Sequence, residues 1–167
     1  MITQYITDKK NARVLYPGCG TSKLSEDMYN DGFRNIISID AVQACVDEMR
    51  ARFNESMPKT FMFLKMDALN MDFGDKIFTH VIDKGLYDSI LSGYRSTEKS
   101  LQYLKEIDRV LVDNGTYFCI SYRSHEDRSR FLSEIHSWNV EVYKIYRPKY
   151  KTELRYIKEE YLSKKVV

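Results

Sequence analysis

Short apolar runs recur along this chain, and segments with helical spacing lie between them. Residues 13–16 (RVLY), 35–39 (NIISI), 61–66 (FMFLKM), 79–82 (THVI) and 116–121 (TYFCIS) are brief, rich in β-formers and nearly continuous. Strands buried on both faces read this way. Val42, Cys45, Val46, Met49 and Phe53 fall at i, i+3, i+4, i+7 and i+11, one face of a helix. Leu101, Leu104, Ile107 and Leu111 form a second stripe, and Phe131, Ile135 and Trp138 a third. Thr21 or Ser22 can cap the helix after the first run, and Asp31-Gly32 can end it. Ser124 and Asp127 resemble a variant capping box. Strand and helix alternate, which predicts an α/β fold with right-handed crossovers and a mostly parallel central sheet flanked by helices. Beyond Trp138, residues 140–146 read as a strand, and 153–162 as an edge strand in preference to a helix.

The bulk numbers narrow the class. At 167 residues and 19.8 kDa the chain suits one core, so residues 1–167 are read as a single domain. With 43% hydrophobic and 30% charged residues it should pack. No segment approaches the roughly 20 apolar residues of a membrane helix, and the polar start lacks a signal-peptide core. A cytoplasmic or nuclear protein is expected, without a membrane partner. Cys19, Cys45 and Cys119 form no CxxC pair and are read as reduced thiols. From Tyr143 to Val167 eight Lys/Arg face three Asp/Glu, a basic tail on a slightly acidic body. A solvated face explains that tail better than a nucleic-acid contact.

In an open α/β sheet, ligands bind outside the carboxyl ends of the strands, so the residues just after each run carry the candidate chemistry. Those residues are Gly18-Cys19-Gly20, Asp40 with Ala41, Asp67-Ala68 and Asp83-Lys84-Gly85. Glycines admit a sharp turn and a close ligand. A dinucleotide fingerprint would add a third glycine for the pyrophosphate, which this turn lacks. Asp40, about 20 residues past the glycines, suits a ribose diol, and can equally cap the next helix. Asp67 can accept from an adenine amino group or serve as a loop carboxylate. Asp83 falls where the central cleft should lie, or is a structural turn acid. Together these residues suit an adenosine bearing a positive group, which describes S-adenosylmethionine.

The segments VLYPGCGTSKLSEDMYNDGFRNIISIDAV, FLKMDALNMDFGDKIFTHVIDKGLYDSIL and EIDRVLVDNGTYFCIS resemble the class I methyltransferases of the methyltransferase-like 13 and endothelin-converting-enzyme-2-associated group. The resemblance runs from about Ala12 to Trp138. It implies a Rossmann-like class I methyltransferase fold with an antiparallel carboxyl-terminal edge strand. It also implies S-adenosylmethionine as cofactor and a protein substrate such as translation elongation factor 1-alpha, methylated on lysine or its amino terminus. Residue by residue, it puts Gly18, Gly20 and Ser22 in the cofactor loop, Asp40 at the ribose and Asp67 and Ala68 near adenine. Asp83, Lys84 and Gly85 match the cleft motif. Tyr16 stands where many class I methyltransferases have an acid, and Thr21 replaces the group's usual Asn. The group has a longer segment before the first strand, which closes over the cofactor. Here only Met1 to Lys10 precedes, so a trimmed or missing lid is expected to bear on turnover.

Methyl transfer to an amine needs alignment and a neutral nucleophile. Asp83 is therefore expected beside the donor or acceptor, orienting the amine, with Lys84 turned away from the sulfonium. Tyr87, Tyr94 and Tyr122 could line an acceptor channel by cation–π contact, although ordinary packing explains most of 13 tyrosines. His80, His125 and His136 lack metal-ligand spacing, so no metal is expected. Cys19 reads as a small residue filling the turn, not a nucleophile. A small-molecule methyltransferase and a cofactor-binding interaction module without turnover are the competing readings. A nicotinamide-dependent oxidoreductase stands further off.

Overall fold

The computed structural model describes residues 5–53, 58–122, 131–132 and 138–143, and the backbone of 161–165. Its strands are β1 (Arg13–Pro17), β2 (Asn35–Asp40), β3 (Phe61–Lys65), β4 (Phe78–Lys84), β5 (Leu111–Ile120), β6 (Trp138–Val142) and β7 (Tyr161–Lys165). Its helices are α1 (Leu24–Asn30), α2 (Gln43–Phe53), α3 (Leu86–Ser92) and α4 (Ser96–Val110). Among the described residues the strands form one sheet in the order β3-β2-β1-β4-β5-β7-β6. Strands β1 to β5 pair in parallel. Strand β7 lies between β5 and β6 and runs antiparallel to both, so β6 forms that edge. The antiparallel carboxyl-terminal strand anticipated from the resemblance is thus present, one position in from the rim.

The continuous apolar runs follow from burial on both faces. Val14 and Tyr16 enter one core with Met28, Ile36, Val46, Met49, Phe53 and Ile82. Leu15 points the other way, with Ile39, Val81, Tyr87, Tyr103, Leu104 and Ile107. The two-residue strand period divides neighbours between the layers. Helices α1 and α2 cover the first face, α3 and α4 the second. Helix α1 ends in a Schellman motif: Gly32, at φ +109°, donates to the Tyr29 carbonyl at 3.1 Å, and Phe33 to Met28 at 3.1 Å.

Several expectations change. Lys23 is the N-cap of α1 and supplies no side-chain bond, whereas Ser22 Oγ accepts from Leu24 N at 3.2 Å just ahead of the helix. Leu111 belongs to β5, because α4 passes into that strand without an intervening turn. Trp138 opens β6 instead of completing a helical stripe. Val42 precedes α2 and is 55% exposed, unlike Val46, Met49 and Phe53. The stripe's Ile135, the Ser124–Asp127 capping box and residues 144–146 and 153–160 of the proposed strands lie outside the described residues. Helix α3, which the apolar pattern left unassigned, opens at Gly85, held at φ +88°.

Candidate cofactor site

The sheet changes direction between β1 and β4, whose loops lead to α1 and α3 on opposite faces. Such a switch point opens a crevice at the carboxyl ends of the strands. The loop after β1 turns at Gly18 (φ +62°) and Gly20 (φ +51°), a region that disfavours residues with a Cβ. A Cβ on Gly18 would lie 2.8 Å from Leu86 Cβ, so this glycine lets α3 pack on the loop. A Cβ on Gly20 would meet nothing within 4 Å, so its backbone borders open space.

Asp40, half-buried at the end of β2, fixes that loop. Its Oδ2 accepts from Gly20 N at 2.8 Å and its Oδ1 from Val42 N at 2.9 Å. A carboxylate has about four lone-pair sites, so each oxygen keeps capacity for a diol. The Asp40 carbonyl accepts from Met66 N at 3.0 Å, which brings the ends of β2 and β3 together. Beyond that junction Asp67 Oδ1 accepts from Leu69 N at 2.9 Å, and Ala68 is buried against the second core. Arg109 of α4 steadies the following loop, donating to the Met71 carbonyl at 2.9 Å and the Phe73 carbonyl at 2.6 Å. The loop acids Asp40 and Asp67 and the glycines therefore meet at one end of the sheet, with exposed Ala41 and Val42 at the rim.

Tyr16 is buried beneath the loop, and desolvation pushes its hydroxyl up to about 12 against the opposing Ser22 hydrogen bond. It stays a neutral group where an acid would add charge. Burial likewise pushes the Cys19 thiol to about 12, keeping it protonated, as befits a small filler of the turn.

Asp83 occupies a different environment. Its carboxylate is fully buried. Oδ1 accepts from Leu86 N at 2.9 Å and Tyr87 N at 3.3 Å. Oδ2 accepts from Tyr87 N at 3.0 Å, Tyr103 OH at 2.7 Å and Tyr117 OH at 3.1 Å. Desolvation raises its pKa to about 6 despite these hydrogen bonds, which pull the other way. The group expected to orient an amine instead anchors the start of α3, because its oxygens are enclosed by donors from α3, α4 and β5. Lys84 beside it is exposed, and Gly85 N donates to the Ile120 carbonyl at 3.1 Å.

The three tyrosines separate. Tyr87 is fully buried in the second core, so it borders no open channel, whereas Tyr94 and Tyr122 are 84% and 85% exposed. Sequence reading missed Tyr103 and Tyr117, the hydroxyl partners of Asp83, and Leu86, the partner of Gly18. It also assigned Val42 to a buried helix face; its position directly after the Asp40-Ala41 pair was the available signal for the rim.

These features define an α/β fold with an acid-held glycine loop at its switch point. A methyltransferase-domain family matches residues 8–161, and the chain belongs to it. The chain is 40% identical over 117 residues to the eEF1A lysine and N-terminal methyltransferase of Homo sapiens, covering 68% of this chain and 16% of that protein. It is 31% identical over 137 residues to the EEF1A lysine methyltransferase 4 of Bos taurus, covering 77% of this chain and 53% of that one. The chain thus spans about a sixth of the first relative and about half of the second. An S-adenosylmethionine-dependent methyltransferase from Clostridium acetobutylicum superposes with a TM-score of 0.71 at 14% identity, covering 99% of this chain and 89% of that one. The magnesium protoporphyrin IX methyltransferase of Synechocystis PCC 6803, solved with bound SAM, gives 0.69 at 14% identity, covering 98% and 76%. At these identities the structural likeness speaks for the fold alone.

Proposed function

We propose that residues 1–167 act as one S-adenosylmethionine-dependent methyltransferase domain that methylates lysine on a translation elongation factor-like protein in the cytoplasm. The observation that carries this reading is Asp40: it holds Gly20 N at 2.8 Å with acceptor capacity left on each oxygen, beside a loop whose Gly20 borders open space. The eEF1A-directed names of the relatives support the choice of acceptor.

The residues fit the cofactor. Asp40 would take the ribose diol, the Gly18–Gly20 backbone would lie along the amino-acid portion, and Asp67-Ala68 would face the adenine. When bound, the sulfonium supplies a methyl group whose C–S bond breaks, leaving the electron pair on sulfur, as an N–C bond forms to the deprotonated amine. The chain contributes alignment. Asp83 fixes the first turn of α3 through Leu86 N and Tyr87 N, and Leu86 seats that turn on Gly18. Asp83 is therefore a positioning residue for the glycine loop. The amine's proton leaves for water before attack.

Titration calorimetry with S-adenosylmethionine, followed by methyl transfer to unmethylated recombinant eEF1A, tests the proposal. Saturable binding that is weakened at least about tenfold in Asp40→Ala, with lysine methylation by the parent, is the expected result. Binding without transfer to eEF1A would leave the cofactor reading and overturn the acceptor. No binding would overturn both.

A further inference from the structure

We infer that Asp88 receives the ammonium group of the methyl acceptor, with Tyr122 as the exposed wall beside it. This rests on the methyltransferase reading above and assigns the site to a lysine side chain through its positive charge.

The burial of Asp83 leaves the open side of the cleft to another carboxylate. Asp88 lies on α3, the helix seated on Gly18 through Leu86 and anchored by Asp83. It is half-buried, and it faces the chain leaving β5: one oxygen accepts from the Ser121 hydroxyl and the other from Tyr122 N at 2.9 Å. Helix α3 thus joins the cofactor loop at one residue to the exit of β5 at another, two positions later. Those two hydrogen bonds leave about two of the carboxylate's lone-pair sites. No Lys or Arg among the described residues forms an ion pair with it. A half-buried carboxylate with that capacity can accept charge-assisted hydrogen bonds from an ammonium. The ring of Tyr122, 85% exposed and fixed at its backbone by Asp88, adds a surface suited to an alkylammonium.

The charge can be removed with little change of shape. In Asp88→Asn the amide oxygen still accepts from Tyr122 N, and the amide nitrogen can donate to Ser121 Oγ. Ser121→Ala does the opposite, keeping the charge and removing one contact. The 167-residue chain and both variants would be assayed for S-adenosylmethionine affinity and for kcat/KM on unmethylated recombinant eEF1A. In parallel, N-acetyl-lysine amide and N-acetyl-norleucine amide would be titrated by NMR with S-adenosylhomocysteine present.

The expected result is a cofactor Kd within about twofold of the parent for both variants. Asp88→Asn should lower kcat/KM at least about tenfold and abolish the preference for the lysine probe, while Ser121→Ala stays within about threefold. Wild-type kcat/KM and lysine preference in Asp88→Asn would overturn the assignment while leaving the methyltransferase reading intact. Loss of cofactor affinity in Asp88→Asn would make the residue structural and also overturn it. A parent chain that binds no cofactor would remove the methyltransferase reading, and this inference with it.

Discussion

Asp40 ends strand two and Asp83 lies one residue from the end of strand four of one sheet, yet their surroundings are opposite. Asp40 is half-buried and gives one oxygen to each of two backbone donors. Asp83 is fully buried and accepts five hydrogen bonds, two of them from tyrosine hydroxyls. A carboxylate with capacity toward open space can serve a ligand, whereas one enclosed by donors can serve only the fold. The comparison therefore separates affinity from stability, and variants at the two acids should do the same.

The largest loss of stability belongs to Asp83→Ala. It removes the acceptor shared by two backbone N–H groups and two tyrosine hydroxyls, a change that costs about 1–3 kcal/mol for each buried group that finds no replacement. A net loss of about 3–5 kcal/mol in urea unfolding is expected. A loss below about 1 kcal/mol would mean that the enclosed acid contributes little to the fold.

The same residue carries a pH signature. Its folded pKa of about 6 lies above the ordinary 3.8, so between those values the folded state holds a proton that the unfolded state has released. Its contribution is therefore fully present below about pH 4 and is lost as pH rises through about 6, with a slope approaching 1.4 kcal/mol per unit at most. Asp83→Asn keeps an oxygen for the backbone donors and an amide for the tyrosine oxygens but cannot titrate. Subtracting its stability-against-pH curve from the parent's should leave a fall between pH 4 and 6. A flat difference would contradict the raised pKa.

Gly18 and Gly20 sharpen the contrast within one loop. Alanine at either meets the left-handed region, at a cost of about 1–2 kcal/mol. At Gly18 it also meets Leu86 at 2.8 Å, whereas at Gly20 it meets nothing. Gly18→Ala should therefore lower the melting temperature more than Gly20→Ala. Equal shifts would mean that α3 does not depend on close packing against the loop.

The sequence revealed these sites unevenly, for a physical reason. Strands β1 to β4 were readable because burial on both faces leaves continuous apolar runs such as Val14-Leu15-Tyr16, and Asp31-Gly32 marked the Schellman turn. Asp40 could be read as a loop acid because its strand ends at the carboxylate. The enclosure of Asp83 could not, since Tyr103 and Tyr117 lie 20 and 34 residues away and meet it only when α4 and β5 pack. The same limit hid α3: the Asp83-Lys84-Gly85 segment just before it was taken as a cleft motif, and the helix's seven positions offer too short a stripe. Leu111 was misassigned because helical spacing continued across a boundary that carries no turn residue, and Trp138 because it keeps helical spacing to Phe131 although it opens a strand.

Asp40→Ala completes the comparison with the smallest effect on the fold. Gly20 N and Val42 N each lose a carboxylate partner, and both lie in a part-exposed loop where water can replace it. A cost of about 1 kcal/mol, similar to loss of a helix cap, is expected. Cofactor affinity should nevertheless fall at least about tenfold, as the ribose hydroxyls lose a charged acceptor. Thermal melting and calorimetry on one sample would check both. A large fall in melting temperature would make Asp40 another structural acid like Asp83, and unchanged affinity would remove it from the cofactor site. A stable chain with weakened binding would fit an acid that orders its loop and still presents oxygen to a ligand.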